Sequence, residues 1–312
     1  MHRAPGPSSS RASAAMATTK RLYVFATFWL ACAATALVVA AFSTGAWLTA
    51  ELLPPDSQFG LQGDINYGLY TGSFRRRAQG DLGGTTAQST IYITCIVEQN
   101  ACAWSCKETE EERQEEILWL LANRSLISSW CPTITERSRT IRAAQEDLPW
   151  LEGDDSTNTT TSTSDFPFIN MGLWVSTQLF LSVSLLLSAA SAVLGLINTT
   201  ANPTLPALAV PGLFYWNAGA AVADLLILIL WGVQYAVTLA DNVAFAQVIA
   251  GQYLSDGHAA LGYSYWLVLV AMFISISSIA VLGFREYLLR IEPPPPTINP
   301  DDQNTDGAIF LY

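Results

Sequence analysis

The chain has 312 residues, of which 51% are hydrophobic and only 13% charged, with a formal net charge of −11. A soluble domain carries about a quarter charged residues, so this composition excludes an ordinary soluble globular protein. No basic patch of the nucleic-acid-binding kind is present, which excludes nucleic acid as a partner.

Residues 1–21 form a tail carrying Arg3, Arg11, Lys20 and Arg21 and no acid. The first apolar stretch, 22–46, exceeds the ~20 residues that a helix needs to cross hydrocarbon at ~1.5 Å per residue. It is longer than the apolar core of a cleaved signal peptide, so it is expected to be a retained signal-anchor helix. Cys32 lies inside it and reads as a small buried hydrophobe.

A large loop, 47–171, follows. Its residues from 50 onward hold 18 acidic and 9 basic residues and four of the five cysteines. Segments 66–74 and 89–97 read as strands; in the second, Ile91, Ile93, Cys95 and Val97 alternate with Tyr92, Thr94 and Ile96. Gly80 to Gly84 form a flexible link between the two. Arg75-Arg76-Arg77 reads as a solvated turn, with an anionic partner or headgroup as the alternative. Residues 108–130 read as a helix, with Glu108, Glu110, Glu111 and Glu112 at its N-terminus, where the helix dipole favours them, and Ile117, Leu118, Leu120 and Leu121 as its apolar part. Segment 152–165 has the composition of a solvated linker.

Cys95, Cys102, Cys106 and Cys131 form an even set in one loop, as in an oxidising compartment. Four cysteines allow three pairings. The preferred one joins Cys95 to Cys102 across a hairpin turning at Glu98-Gln99-Asn100, and Cys106 to Cys131. A zinc site is the rival, weakened because no His lies near Cys102–Cys106.

The second, third and fourth spans are 172–197, 213–239 and 262–284. In the second, Ser184, Ser188, Ser191, Ala192 and Gly195 share one face, and Gly219 and Ala223 make a similar step in the third. Small residues at that spacing let helices approach in lipid. The preferred role is packing within one four-helix bundle, and the alternative is a contact between copies in a homo-oligomer. Trp47, Trp174, Tyr215, Trp216, Tyr263, Tyr265 and Trp266 lie near span ends, as interfacial anchors do. Asp224 is the one acid inside a span, ~16 Å deep, so it is expected to face the bundle. Its expected partners are serines of the second span, Ser275, Ser278 or Asn217. Structural packing is preferred over an ion pathway for it.

Basic residues flank the first span before it and the fourth after it, as Arg285 and Arg290, which places both termini in the cytosol. Loops 47–171 and 240–261 are then outside, and 198–212 is cytosolic. Sequons at Asn123 and Asn158 fall outside and are the expected glycosylation sites, whereas that at Asn198 falls on the cytosolic side. The tail, 285–312, holds Pro293 to Pro296 and is expected to be extended. Its end, Phe310-Leu311-Tyr312, has the chemistry to add to a sheet edge of a PDZ-like domain, which makes a cytosolic scaffold a candidate partner. There is no phosphate-cradling Gly loop, no His-containing metal motif and no catalytic grouping, so neither enzyme activity nor a cofactor is expected.

The first span ends in Gly45-Ala46-Trp47, and the loop carries Tyr67-Gly68-Leu69-Tyr70-Thr71-Gly72. A Trp closing the first span followed by a Gly-Leu-aromatic strand resembles the claudin superfamily, and Tyr-Gly-Leu-aromatic-x-Gly looks like the clarins. Trp216-Asn217 opening the third span, Tyr265-Trp266 opening the fourth and the terminal aliphatic-Tyr agree with this. Residues 75–165 do not match, the first loop cysteine comes only at Cys95, and Tyr70 stands where claudins have Trp. Tetraspanins carry their large loop between spans three and four, with a Cys-Cys-Gly motif, and this chain has neither.

The resemblance implies an all-α membrane protein: a claudin-like, left-handed four-helix bundle with a small extracellular β-sheet. It also implies a non-enzymatic plasma-membrane organiser of microdomains, adhesion complexes or partner trafficking, often in sensory cells. Its partners would be the lipid bilayer and other membrane or adhesion proteins. The alternatives are an auxiliary channel subunit or small pore, and a junctional adhesion protein.

Overall fold

The computed structural model describes residues 7–52, 61–78, 86–123, 168–200, 205, 207–240, 243 and 257–291. Four helices among them are long and apolar enough to cross a membrane: α1 (Pro7–Ser43), α3 (Met171–Thr200), α4 (Val210–Gln234) and α5 (Tyr263–Ile291). α4 continues through a π turn, Tyr235–Leu239. The remaining helix, α2 (Glu110–Asn123), lies in the large loop. This is a multi-pass membrane protein.

The spans pack as a ring in the order α1, α3, α4, α5, with neighbours antiparallel. Burial on each helix recurs at alternating steps of three and four. On α1 the buried residues are Val24, Thr27, Ala31, Ala34, Val38 and Ala41. On α5 they are Ser264, Val268, Ala271, Ser275, Ser278 and Leu282. α3 follows with Thr177, Leu181, Ser184, Ser188, Ser191 and Gly195, and α4 with Leu213, Asn217, Ala220, Asp224, Ile227, Trp231 and Gln234. A seven-residue period on 3.6-residue helices imposes left-handed supercoiling. Many of these side chains are small or hydroxylated, which suits lipid, where helices associate by close backbone approach rather than by the hydrophobic effect. Gly195 illustrates it: a Cβ there would lie 3.2 Å from the Cα of Phe28 on α1.

One end of the bundle carries a seven-stranded antiparallel sheet, in the order β6-β5-β4-β3-β2-β1-β7. The strands are β1 (Leu48–Leu52), β2 (Leu61–Tyr67), β3 (Thr71–Ala78), β4 (Thr86–Ile96), β5 (Ala101–Ser105), β6 (Ile169–Asn170) and β7 (Ala259–Leu261). Both edges are short and run almost directly into spans: β6 into α3, and β7 into α5. Ile65, Tyr67, Phe74 and Ile91 point inward and form one hydrophobic core with Trp47, Val38, Trp231 and Val268 of the bundle.

Several sequence expectations are corrected. The strand expected over 66–74 is the end of β2, a tight turn and the start of β3, because Gly68 and Gly72 let the chain reverse there. Arg75-Arg76-Arg77 lies in β3, not in a turn. Val97 leaves the β4 alternation and is 74% exposed, on a single 3-10 turn from Val97 to Gln99. Leu118 is exposed rather than part of the packed face of α2. Trp216-Asn217 lies well inside α4, whose first turn takes Pro211. The fourth span's helix continues seven residues past 284 to Ile291, so the tail begins as helix. β7 crosses the 240–261 loop, which alternation alone did not mark. The expected link at Gly80 to Gly84, helix residues 124–130, the 152–165 linker, Cys131, Asn158 and the C-terminal Phe310, Leu311 and Tyr312 lie outside the described residues.

Candidate functional site: a sheet-to-bundle joint above a buried polar row

The joint is built around Trp47, which is fully buried where α1 passes into β1. Its indole Nε1 donates to the carbonyl of Ala41 at 2.7 Å, and its backbone N–H donates to the Tyr67 carbonyl. The Trp47 carbonyl accepts from Gly262, at the start of α5. The ring meets Trp231 of α4 edge-on at 5.1 Å. The Trp47 side chain thus touches α1 and α4, and its backbone reaches the sheet and α5.

Three glycines let these pieces close. A Cβ on Gly262 would lie 2.0 Å from the Ala46 carbonyl oxygen, one on Gly68 would lie 2.6 Å from that of Thr44, and one on Gly72 would lie 2.4 Å from that of Asn66. Each obstacle is backbone, which cannot step aside as a flexible side chain does. The Thr44 and Ser264 hydroxyls, 2.7 Å apart, tie α1 to α5 beside them.

The Gly68–Tyr70 turn also grips α3. Trp174 Nε1 donates to the Leu69 carbonyl at 2.9 Å. Tyr70 lies between Phe42 and Trp174, and its hydroxyl donates to Gln178 Oε1 at 3.2 Å. Burial raises the pKa of Tyr70, and that of Tyr67 well above the usual phenol value. The motif that carries the family resemblance therefore lies in one place, with Tyr67 and Leu69 buried and Tyr70 partly exposed.

Cys95 and Cys102 face each other across β4 and β5 and are disulfide-bonded. The turn they close ends at Asn100, whose left-handed backbone (φ 50°) is tolerated by Asn. Asn100 then caps α3: its side-chain oxygen accepts from Gly172 N at 3.0 Å and its carbonyl from Met171 N at 3.3 Å. Cys106 is also disulfide-bonded, and Cys32 is the free cysteine among the described residues. No group of three or more His, Cys, Asp or Glu that could hold a metal is found among the described residues.

α2 rests on β4 and β5. Ile117 is buried beneath it, and Arg113 donates to Thr94 Oγ1 at 3.0 Å while lying 5.0 Å over the Tyr92 ring. Glu116 accepts a hydrogen bond from Ser105. Burial raises the Glu116 pKa, against smaller lowering effects of that bond and of Lys107.

Below the joint runs a polar row between α3 and α4. Asp224 is buried and accepts from Ser184 at 2.5 Å. Asn217 donates to Ser191 Oγ and to the Leu213 carbonyl, both at 2.7 Å. Of the partners expected for Asp224, the second-span serine is the one observed; Asn217 serves Ser191 instead, and Ser278 bonds its own helix at Ile274. Nearer the joint, Gln234, Trp231 Nε1 and the Tyr67 hydroxyl are buried polar groups that sequence reasoning passed over.

At the opposite end, the Asn198 amide donates to the carbonyls of Leu194 and Leu208. Asn123 closes α2. Among the interfacial aromatics, Tyr215, Tyr263 and Trp266 are exposed, whereas Trp47 is buried in the joint.

Neither the family models nor the curated protein sequences contain a match to this chain.

Proposed function

We propose that this chain is a clarin-like, claudin-type four-span protein of the plasma membrane, with both termini cytosolic. It acts as a non-enzymatic organiser, gathering membrane or adhesion proteins through its spans and its extracellular sheet, with sensory cells as one setting. One observation carries this: Trp47, Gly68 and Gly262 lock the sheet to the bundle through close backbone contacts. A sheet held that way presents its outer surface in a fixed attitude to the membrane, as a recognition platform must. The C-terminal Phe310-Leu311-Tyr312 supplies a second contact, for a cytosolic scaffold with a PDZ-type groove.

Proximity labelling from native membranes tests it, comparing the full chain with one lacking its last four residues. A reproducible set of membrane partners supports the organiser role, and loss of cytosolic neighbours on deletion supports the tail contact. Labelling no different from that of an unrelated four-span protein overturns it.

A small pore is the second proposal, and Asp224 is its reason, since intramembrane acids often mark ion paths. The bond to Ser184 favours a packing role instead. Selective conductance from the reconstituted chain that disappears in Asp224→Asn would reverse that preference.

A further inference from the structure

Beneath the joint, the last two turns of α4 carry polar atoms that the fold does not use. Trp231 and Gln234 are each 1% exposed. The indole Nε1 of the first and both amide atoms of the second have no hydrogen-bond partner among the described residues. Residues three apart share a helix face, and helical side chains lean toward the N-terminus. The Gln234 amide is therefore carried down onto the turn of Trp231. The Trp231 ring is itself held by its edge-on contact with Trp47 at 5.1 Å, and the Trp47 Nε1 is already committed to Ala41.

The backbone fixes the height of this pair. α4 widens into the π turn Tyr235–Leu239 directly after Gln234, and the Tyr235 hydroxyl donates to the Ala259 carbonyl of β7 at 2.8 Å. Gln234 thus stands beside the edge of the sheet, and π turns recur at functional sites. Toward the middle of the membrane, the next inward residues of α4 are Leu228 and Ile227, both apolar and buried, so the polar stretch ends before Asp224.

The chemistry of the pair selects its ligand. An indole N–H only donates, whereas a side-chain amide both donates and accepts. The amide oxygen could take the indole proton directly and does not. Left dry, each group would bear the full cost of lost hydration. One donor from Trp231 with a donor and an acceptor from Gln234 match the three bonds that a buried water commonly makes. Neither side chain is charged, which suits water rather than an ion.

We infer that Trp231 and Gln234 form a buried water site under the joint, in which water bridges the indole to the amide and pins the Trp231 ring against Trp47. The site needs only the fold, so it stands apart from the organiser role.

The test uses the full chain with isotope-labelled tryptophan in phosphatidylcholine liposomes, followed by proton-detected solid-state NMR. Magnetisation transfer from water to the Trp231 indole proton is expected, its peak identified by loss in Trp231→Phe. The Trp47 indole proton, equally buried but given to Ala41, is the internal control and should receive clearly less. Gln234→Met keeps the side-chain length and removes the polar atoms. It should abolish most of the transfer to Trp231 and lower the thermal unfolding midpoint by about 2 °C, the scale of one net hydrogen bond in a large domain. A dry amide predicts the opposite, because removing an unpaired polar group from a core raises the midpoint. The site is overturned by transfer to Trp231 no greater than to Trp47, by undiminished transfer in Gln234→Met, or by an unchanged or raised midpoint in that variant. If Gln234→Met does not fold, the wild-type comparison of Trp231 with Trp47 decides alone.

Discussion

Ser184 donates to the carboxylate of Asp224, and one heptad further along both helices Asn217 donates to Ser191. The step is seven residues on each side, from 184 to 191 and from 224 to 217. Two polar ties at that interval fix the antiparallel register of α3 against α4. A slip of one turn would leave a carboxylate unpaired in the membrane, where it is expensive.

Ser184→Ala should therefore cost about 0.6–1.7 kcal/mol, the range for hydrogen bonds between membrane helices. Asp224→Asn keeps a hydrogen-bonding oxygen and should cost less. The Asn217→Ala cost should add to that of Ser184→Ala within about 0.5 kcal/mol, because the two ties are ~10 Å apart. Thermal unfolding of the purified chain in detergent measures all three.

Gly68→Ala and Gly262→Ala place a methyl against backbone oxygen and should cost at least the 1–3 kcal/mol of overpacking. Loss of surface expression and faster proteolysis report that. Gly283→Ala meets nothing within 4 Å and should be neutral or slightly stabilising. If all three variants behave alike, the close contacts at the joint are not what the glycines serve.

The Cys95–Cys102 bond closes a short loop with a separation of seven residues, and the chain-entropy account gives it about 2.5 kcal/mol. Replacing both cysteines with serine should lower the melting temperature. It should also speed amide exchange at Met171 and Gly172, which Asn100 caps. A drop in stability with unchanged exchange at those two amides would separate the disulfide from the cap.

Glu116 is held with its pKa raised by burial. Its unfolded carboxyl loses its proton at lower pH than the folded one, so rising pH through that interval weakens the docking of α2. Protection of the α2 amides, taken relative to their intrinsic exchange rates at each pH, should be greatest on the acid side of the ordinary glutamate range and smaller at neutral pH. Glu116→Gln should flatten this dependence. An α2 less protected in acid than at neutral pH contradicts it.

For the proposed topology, glycosidase treatment should shift the wild-type chain and leave an Asn123→Gln, Asn158→Gln double variant unshifted. Asn198 should remain bare; its amide is already committed to two carbonyls. A glycan there would invert the chain.

The spans and β4 were legible because lipid demands long apolar runs and a half-buried strand alternates. The inward faces of the spans were legible only where they are small or polar, as at Ser184, Ser188 and Ser191. Hydropathy is silent elsewhere, since lipid and bundle core are equally apolar: nothing separates buried Val268 from exposed Val270 by type. β1 and β7 were missed because five and three residues beside a span carry no period of their own; pairing with each other makes them strands. The turn at Gly68 was hidden inside an extended-looking run because its cause, the Thr44 carbonyl, is distant in sequence.

The sheet's outer strands lead into α3 and α5, which stand at opposite corners of the ring. A pull on the sheet is therefore not borne by one loop. It is shared by α3 and α5 through two backbone connections on opposite sides of the bundle, with α1 taking a third through β1.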